Sequence, residues 1–232
     1  MVGEGKRGYV RAMFGRIAGR YDLMNSFMTL GRDRAWREWT VRAAGAAPGK
    51  LALDVATGTG ELALALARRG CRTLGLDYAE AMLWAAAGKS AALAERSRPA
   101  YLAGDALALP FADDTFDCLT TGFALRNVVS VPAALAEMAR VLKPGGKLAC
   151  LELTPARGRV FPLFFGFYFG EVVPLLGALL AGNREAYAYL PASLRGFPAA
   201  EQLVEVMRDA GFRQVTCRRL MFGTVALHVG EK

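Results

Sequence analysis

The sequence predicts an α/β fold, a doubly wound and mostly parallel sheet of seven strands that ends in an antiparallel hairpin. Short apolar segments alternate with helical ones between residues 51 and 153, which is typical of βαβ units. A glycine-rich turn follows the first apolar segment. The last two strand-like segments are separated only by residues 221–223, a connection short enough for a hairpin.

The order of elements follows from apolar periodicity and from glycine and proline breaks. Strands are predicted at 51–55, 72–76, 100–103, 116–121, 147–153, 212–220 and 224–229, and helices within 7–45, 61–69, 79–96, 131–142 and 198–210. Gly70 fits the left-handed position after a helix, and Lys143-Pro-Gly-Gly146 ends the fourth helical segment. We expect residues 1–47 to form a helical cap and residues 48–232 to form the main domain.

Residues 156–190 are predicted to form an apolar helical insert in the main domain. Its central part, 160–182, is rich in phenylalanine and leucine but is divided by Glu171 and by several prolines and glycines. No uncharged stretch reaches the roughly 18 residues of a membrane span. We expect two short helices that cover an apolar pocket or rest on a membrane surface, and an ordinary core helix is the alternative.

Charge and cysteine usage restrict the partners and the compartment. The chain carries a net charge of +8, and residues 1–50 alone have ten basic and four acidic side chains. This excess suggests contact with an anionic surface, nucleic acid or membrane, although a solvated helix would look the same. Four dispersed cysteines and a single histidine predict buried thiols and no metal site. Without an apolar signal region, we expect a cytoplasmic protein with peripheral membrane contact.

The glycine loop after the first strand is the main functional signal. Gly58-Thr-Gly60, followed by Glu61, fits the dinucleotide fingerprint, and Asp77 lies seventeen residues beyond Gly60. However, Glu61 lies in the first helical turn, where it would compete with a bound pyrophosphate. A nucleoside ligand with a positive charge and no phosphate fits better. The loop therefore predicts an S-adenosylmethionine site.

Four acids at the carboxyl ends of consecutive strands support this prediction, because open α/β sheets bind ligands at that edge. Asp54 and Glu61 are expected to attract the cationic amino acid end, directly or through water. Asp77 is expected to accept both ribose hydroxyls, and Asp105 the adenine amino group. For Glu61 alone, a simple interaction with the helix dipole is a serious alternative.

Over nearly its whole length the chain resembles the C-methyltransferases of ubiquinone and menaquinone biosynthesis. The resemblance rests on segments 14–25, 34–37, 54–61, 75–77, 82–83, 104–111, 123–128, 137–146, 151–152, 186–193 and 225–230. Leu125-Arg-Asn-Val128 and Tyr187-Ala-Tyr-Leu-Pro-Ala-Ser193 are the more specific motifs. The resemblance implies a class I methyltransferase fold, which is Rossmann-like, and an S-adenosylmethionine-dependent C-methylation of a polyprenyl quinol.

The resemblance also implies which residues contact the cofactor. Besides the loop glycines, these are Thr59, Asp77, Asp105, Ala106 and Gly122, while Tyr21 could cap the cofactor or pack in the core. The chain departs from the family at Gly122, which is usually serine, and at Ala124, Glu61 and Asp33. These departures do not change the prediction that S-adenosylmethionine is the methyl donor. They leave the identity of the quinone substrate undetermined.

Carbon methylation needs an electron-rich ring, so the substrate is expected to be the quinol in its phenolate form. A phenol has a pKa near about 10, and a nearby cation lowers it. Arg126 is the candidate cation, with a structural ion pair to Glu137 or Asp105 as the alternative, and Asn127 is expected to hold the substrate oxygen or a water. Tyr187, Tyr189 and Ser193 are expected to line the quinol pocket, and His228 is expected in the core.

Demethylmenaquinol is the expected substrate, at a membrane surface and without nucleic acid. A ubiquinone-pathway benzoquinol and an N- or O-methylated small molecule are the alternatives. A nicotinamide oxidoreductase and a non-catalytic membrane module are rivals from other classes. The sequence does not determine whether the chain forms a homo-oligomer.

Overall fold

The computed structural model describes residues 4–155, 189, 192–194 and 196–232. Their strands form one seven-stranded sheet in the order β3-β2-β1-β4-β5-β7-β6. The strands are β1 Leu51–Val55, β2 Arg72–Asp77, β3 Ala100–Ala103, β4 Phe116–Gly122, β5 Leu142–Leu153, β6 Arg213–Leu220 and β7 Val225–Glu231. Strand β7 runs antiparallel to both β5 and β6, and the other pairs are parallel. The predicted fold class is confirmed.

The described helices lie before, between and after the strands. They are α1 Glu4–Ile17, α2 Tyr21–Met28, α3 Asp33–Ala43, α4 Glu61–Arg68, α5 Glu80–Ser90, α6 Val131–Val141 and α7 Ala200–Asp209. The amino-terminal helical region is broken between α2 and α3, where Leu30 and Gly31 both have positive φ. Short 3₁₀ turns cover Ala18–Arg20 and Leu125–Asn127. The insert predicted at 156–190 lies outside the described residues, apart from Tyr189.

Two predicted boundaries were wrong. Strand β5 begins at Leu142, so the Lys-Pro-Gly-Gly segment belongs to the strand, and backbone hydrogen bonds join Gly145 and Gly146 to Lys232. Helix α5 ends at Ser90 instead of continuing to 96. The side chain of Arg98 donates to the carbonyls of Ala91 and Leu93 beyond the helix end, which satisfies acceptors that a longer helix would have used.

The helices cover both faces of the sheet. On one face, α3 and α4 pack on the sheet with Trp36, Leu62 and Leu66 in the core. On the other, α6 and α7 contribute Leu135, Met138, Leu203 and Met207. The carboxyl ends of β1, β2 and β4 remain at one edge, where loops continue the chain. Within the described residues, no helix combines the length and apolar character needed to cross a membrane.

Candidate active site

The glycine loop connects β1 to α4 in a conformation that requires glycine. Gly58 and Gly60 have φ of 56° and 80°, values that L-residues rarely adopt. A Cβ at Gly60 would lie 2.7 Å from the Tyr101 hydroxyl and 2.9 Å from Ala86 Cβ. The loop is therefore packed tightly on its inner side, and only its outer side is available to a ligand.

Asp77, at the end of β2, orients this loop. Its carboxylate accepts hydrogen bonds of 2.8 Å from the backbone N–H groups of Gly58 and Ala79. Burial raises the pKa of Asp77, and these hydrogen bonds act in the opposite direction. The predicted ribose-binding acid thus also holds the first glycine of the loop in place.

A cleft with about 820 Å³ of empty space, part of it open to solvent, lies over the loop. It brings together six of the predicted residues, namely Tyr21, Gly58, Asp77, Asp105, Ala106 and Asn127. Sequence reasoning missed the cap residues Val10, Arg11 and Phe14, and also Met82 and Val129. The apolar spacing of α1 and the edge-on packing of Phe14 against Tyr21 are the signals that relate the cap to this cleft.

The charges of the cleft suit a ligand without phosphate. Among its described lining residues the only cationic side chain is Arg11, and Arg11 pairs with Glu80 at 2.8 Å. Asp77 and Asp105 supply carboxylates instead, and the Asp105 side chain accepts from the N–H of Leu107 at 2.9 Å. A pyrophosphate would find no uncommitted cation among these residues, so the cleft fits S-adenosylmethionine better than a dinucleotide.

Thr59, Gly60 and Gly122 do not line this cleft. The hydroxyl of Thr59 donates to Asp22 of α2 at 2.6 Å. A Cβ at Gly122 would lie 2.7 Å from Leu62 Cδ1. Leu62 of α4 therefore packs where the side chain of the family's usual serine would begin. Their roles as cofactor contacts stay predictions.

Asp54 and Glu61 both bond to other side chains, and their role at the cationic end of the cofactor, directly or through water, stays a prediction. Asp54 is fully buried and accepts hydrogen bonds from Thr57 and Thr120 at 2.6 and 2.8 Å. Burial raises the pKa of Asp54 to about 6. Glu61 pairs with Lys89 at 2.6 Å. Neither acid lines the cleft.

Asn127 and Arg126 are neighbours in the chain but face different surroundings. Asn127 lines the cleft, and its Oδ1 is buried without a hydrogen-bond partner among the described residues. Arg126 is buried and forms an ion pair with Glu152 of β5. Arg126 is not among the described residues that line the cleft, and its ion-pair partner is Glu152 instead of the alternatives Glu137 and Asp105. Glu137 is held by Arg140 instead.

The remaining predicted residues are partly described. The ring of Tyr189 packs against Tyr9 of α1 with centroids 5.6 Å apart, and Ser193 is half-buried. Neither lines the cofactor cleft. Tyr187 lies outside the described residues. His228 is buried in β7, with Nε2 2.8 Å from the carbonyl of Ala200, which confirms it as a core histidine.

Comparison with known proteins identifies the family. The model of the "ubiE/COQ5 methyltransferase family" matches residues 2–232. The chain belongs to this family. A demethylmenaquinone methyltransferase from Roseiflexus castenholzii is 44% identical over 98% of this chain and 94% of its own length. Another, from Thermus thermophilus, is 45% identical over 95% of this chain and 100% of its own.

This chain is also similar to a second kind of named relative and to a solved structure. A ubiquinone/menaquinone biosynthesis C-methyltransferase UbiE from Desulfotalea psychrophila is 43% identical over 96% of this chain and 90% of its own. A crystal structure of a possible histamine N-methyltransferase from Thermotoga maritima, 20% identical, covers 95% of this chain and 99% of its own with a TM-score of 0.64. This likeness shows the class I fold. The family member is an S-adenosylmethionine-dependent methyltransferase, which excludes the oxidoreductase and the non-catalytic module.

Proposed function

We propose that this methyltransferase methylates a ring carbon of a polyprenyl quinol, converting demethylmenaquinol to menaquinol. S-adenosylmethionine supplies the methyl group when bound. The observation that carries the proposal is the near-full-length similarity to relatives named demethylmenaquinone methyltransferase. The side chains at the carboxyl end of β4 support it, because they offer a buried cation and a buried acceptor to a phenolic ring.

Arg126 is the residue that stabilises the phenolate. Burial raises the pKa of Tyr189, and the positive charge of Arg126 opposes this rise, so Arg126 already acts on a phenol in this protein. A quinol oxygen close to the same guanidinium would be stabilised as the anion. Glu152 fixes the guanidinium in one orientation through their ion pair, so no reorganisation is needed when charge develops on the ring.

Asn127 completes the arrangement on the cofactor side. Its Nδ2 donates to the carbonyl of Phe123 at 3.4 Å, which directs the amide. Its buried Oδ1 has no partner among the described residues and can accept a hydrogen bond from the quinol hydroxyl or from a water that takes the proton. Alignment of the ring with the methyl donor supplies most of the acceleration.

The membrane surface is the proposed site of action, and α2 is the proposed contact. One face of α2 carries the apolar side chains of Leu23 and Phe27, which are 61% and 46% exposed. Leu30, just beyond the end of the helix, is 78% exposed. Exposed basic residues flank them, namely Arg20, Arg32 and Arg34. An apolar stripe with flanking arginines binds an anionic bilayer through both burial and charge.

Vesicle sedimentation tests this contact. Binding to phosphatidylglycerol vesicles should exceed binding to phosphatidylcholine vesicles and fall with added salt. Phe27→Asp should weaken it at least tenfold, whereas Trp84→Asp, at a still more exposed apolar residue of α5, should leave it unchanged. Equal effects of both variants would contradict a specific role of α2.

The enzymatic test uses a short-chain demethylated naphthoquinol kept reduced with dithionite, with mass spectrometry of the product. We expect one methyl group on a ring carbon and no turnover of the oxidised quinone. Turnover of both forms would refute the phenolate mechanism. Methylation of a benzoquinol only, or of an oxygen or nitrogen, would favour the alternatives.

A further inference from the structure

A second cavity lies beside the cofactor cleft and shares one wall with it. It has an empty volume of about 470 Å³, which includes space open to solvent. Its described lining residues come from the end of α2, the loop after β4, the end of β5 and the β6–β7 connection: Asn25, Met28, Thr29, Phe123, Arg126, Leu153, Met221, Thr224 and Val225. Phe123 is the only described residue that lines both cavities.

The lining of this cavity combines apolar walls with the side chains of Arg126 and Asn25, while the hydroxyls of Thr29 and Thr224 donate to backbone carbonyls. Met28, Leu153, Met221 and Val225 supply the walls. Arg126 supplies a guanidinium that is fixed by Glu152. The side-chain nitrogen Nδ2 of Asn25 is buried and has no hydrogen-bond partner among the described residues.

A buried amide donor without a partner normally costs free energy. The hydroxyl of Thr29, one turn further on, does not relieve it, because this hydroxyl donates to the backbone carbonyl of Asn25 and accepts from the N–H of Asp33. The amide is therefore satisfied when the cavity holds an acceptor. The ligand that fits both Asn25 and Arg126 is flat, largely apolar and carries an oxygen with negative charge.

We propose that the second cavity is the acceptor-ring site and that Asn25 is a substrate-binding residue, donating a hydrogen bond from Nδ2 to a quinol oxygen. This inference rests on the proposed function and deepens it. Phe123 has a φ of 57°, an uncommon conformation for a bulky residue, and it separates the ring site from the cofactor cleft. The reacting carbon meets the methyl donor at the edge of this side chain.

The rim of the cavity indicates where the isoprenoid tail leaves. Two segments that line the cavity continue directly into exposed apolar side chains, Leu30 after Thr29 and Phe222 after Met221, which are 78% and 82% exposed. These are two of the three most exposed large apolar side chains among the described residues. Leu30 also belongs to the proposed membrane contact, so a tail passing between the two residues reaches the bilayer directly.

The test compares acceptor kinetics with cofactor affinity in the full chain. Alanine is a better helix former than asparagine, so Asn25→Ala should fold. We expect kcat/KM for a short-chain demethylmenaquinol to fall about 10- to 100-fold, as for the loss of a hydrogen bond to a charged group. The dissociation constant of S-adenosylhomocysteine, measured by calorimetry, should change less than twofold. Gln202→Ala removes an exposed amide from α7 and should change neither quantity.

Two further variants separate binding from support of the fold. Asn25→Asp places a carboxylate beside the phenolate, so the alkaline rise of kcat/KM should move to higher pH. Met221→Trp fills the cavity and should raise the acceptor KM without weakening S-adenosylhomocysteine. The proposal is overturned if Asn25→Ala leaves kcat/KM unchanged, or if it weakens cofactor and acceptor equally. A wild-type protein that methylates no quinol would instead refute the proposed function.

Discussion

Thr59 in the glycine loop donates a hydrogen bond of 2.6 Å to Asp22 in α2. Lys89 of α5 joins the same group, with distances of 2.7 Å to Asp22 and 2.6 Å to Glu61. The three charged side chains are about one-third exposed, so each pair adds at most about 1 kcal/mol to stability. Their more important effect is to hold α2, and Tyr21 next to Asp22, against the loop and the cleft.

Asp22→Ala should therefore weaken S-adenosylhomocysteine binding about tenfold, measured by calorimetry. Without this tether the cap is closed for a smaller fraction of the time, and the apparent affinity falls with that fraction. Asp22→Asn keeps an acceptor for Thr59 but loses the charge, so its affinity should be intermediate. Glu205→Ala, which removes an exposed ion pair on α7, is the control. An unchanged affinity in Asp22→Ala would contradict the tether.

Arg126→Met should lower the free energy of unfolding by about 3–5 kcal/mol, because it leaves the buried carboxylate of Glu152 without its partner. Glu152→Gln should have a similar cost. The double variant removes both charges and should recover most of the stability. Its turnover of the quinol should nevertheless stay at least 100-fold low, with S-adenosylhomocysteine affinity kept. Urea unfolding and steady-state kinetics measure the two effects, and a fully active double variant would reduce Arg126 to a structural role.

The sequence predicts the sheet and the position of the site for a simple reason. Alternating apolar segments determine a parallel sheet, and the carboxyl ends of its strands meet at one edge. The acid at the end of β2, Asp77, and the residues after β3 therefore had to lie at the cleft, and Asp77, Asp105 and Ala106 do.

Side-chain partners were less predictable, because they depend on register between distant elements. For Arg126 the alternative to a catalytic role was an ion pair with Glu137 or Asp105, but the structure pairs it with Glu152, 26 residues away on the neighbouring strand. Likewise Glu61 was assigned to the cofactor, and no local pattern indicated that Lys89 lies within 2.6 Å of it. Asn25 is the last residue of segment 14–25, which carries part of the family resemblance, yet only the fold places it in a cavity beside Arg126.

Gly122→Ser should destabilise the protein by about 1–3 kcal/mol, although serine is the usual residue of the family at this position. The added Cβ would lie 2.7 Å from Leu62 Cδ1, and overpacking of a buried contact has this cost. Leu62→Val removes the clashing methyl group. A double-mutant cycle in urea should therefore give a favourable coupling of about 1 kcal/mol, and a coupling near zero would mean that Leu62 is not the obstacle.

Asp54 makes stability depend on pH in a predictable direction. Burial raises its pKa from 3.8 to about 6, and hydrogen bonds from Thr57 and Thr120 offset only part of this. Because the folded protein holds the proton more tightly than the unfolded chain, the stabilising contribution of Asp54 is fully present below pH 3.8. It is lost as pH rises through about 6.

Asp54→Asn does not ionise and should escape this loss. Its free energy of unfolding relative to wild type should increase between pH 4 and pH 6.5, by at most about 3 kcal/mol, and then level off. Urea unfolding at several pH values measures the difference. Asp209→Asn, at the exposed end of α7, controls for the loss of one charge. A difference that is constant with pH would mean that Asp54 remains ionised in the folded protein, because its bonds to Thr57 and Thr120 would then outweigh burial.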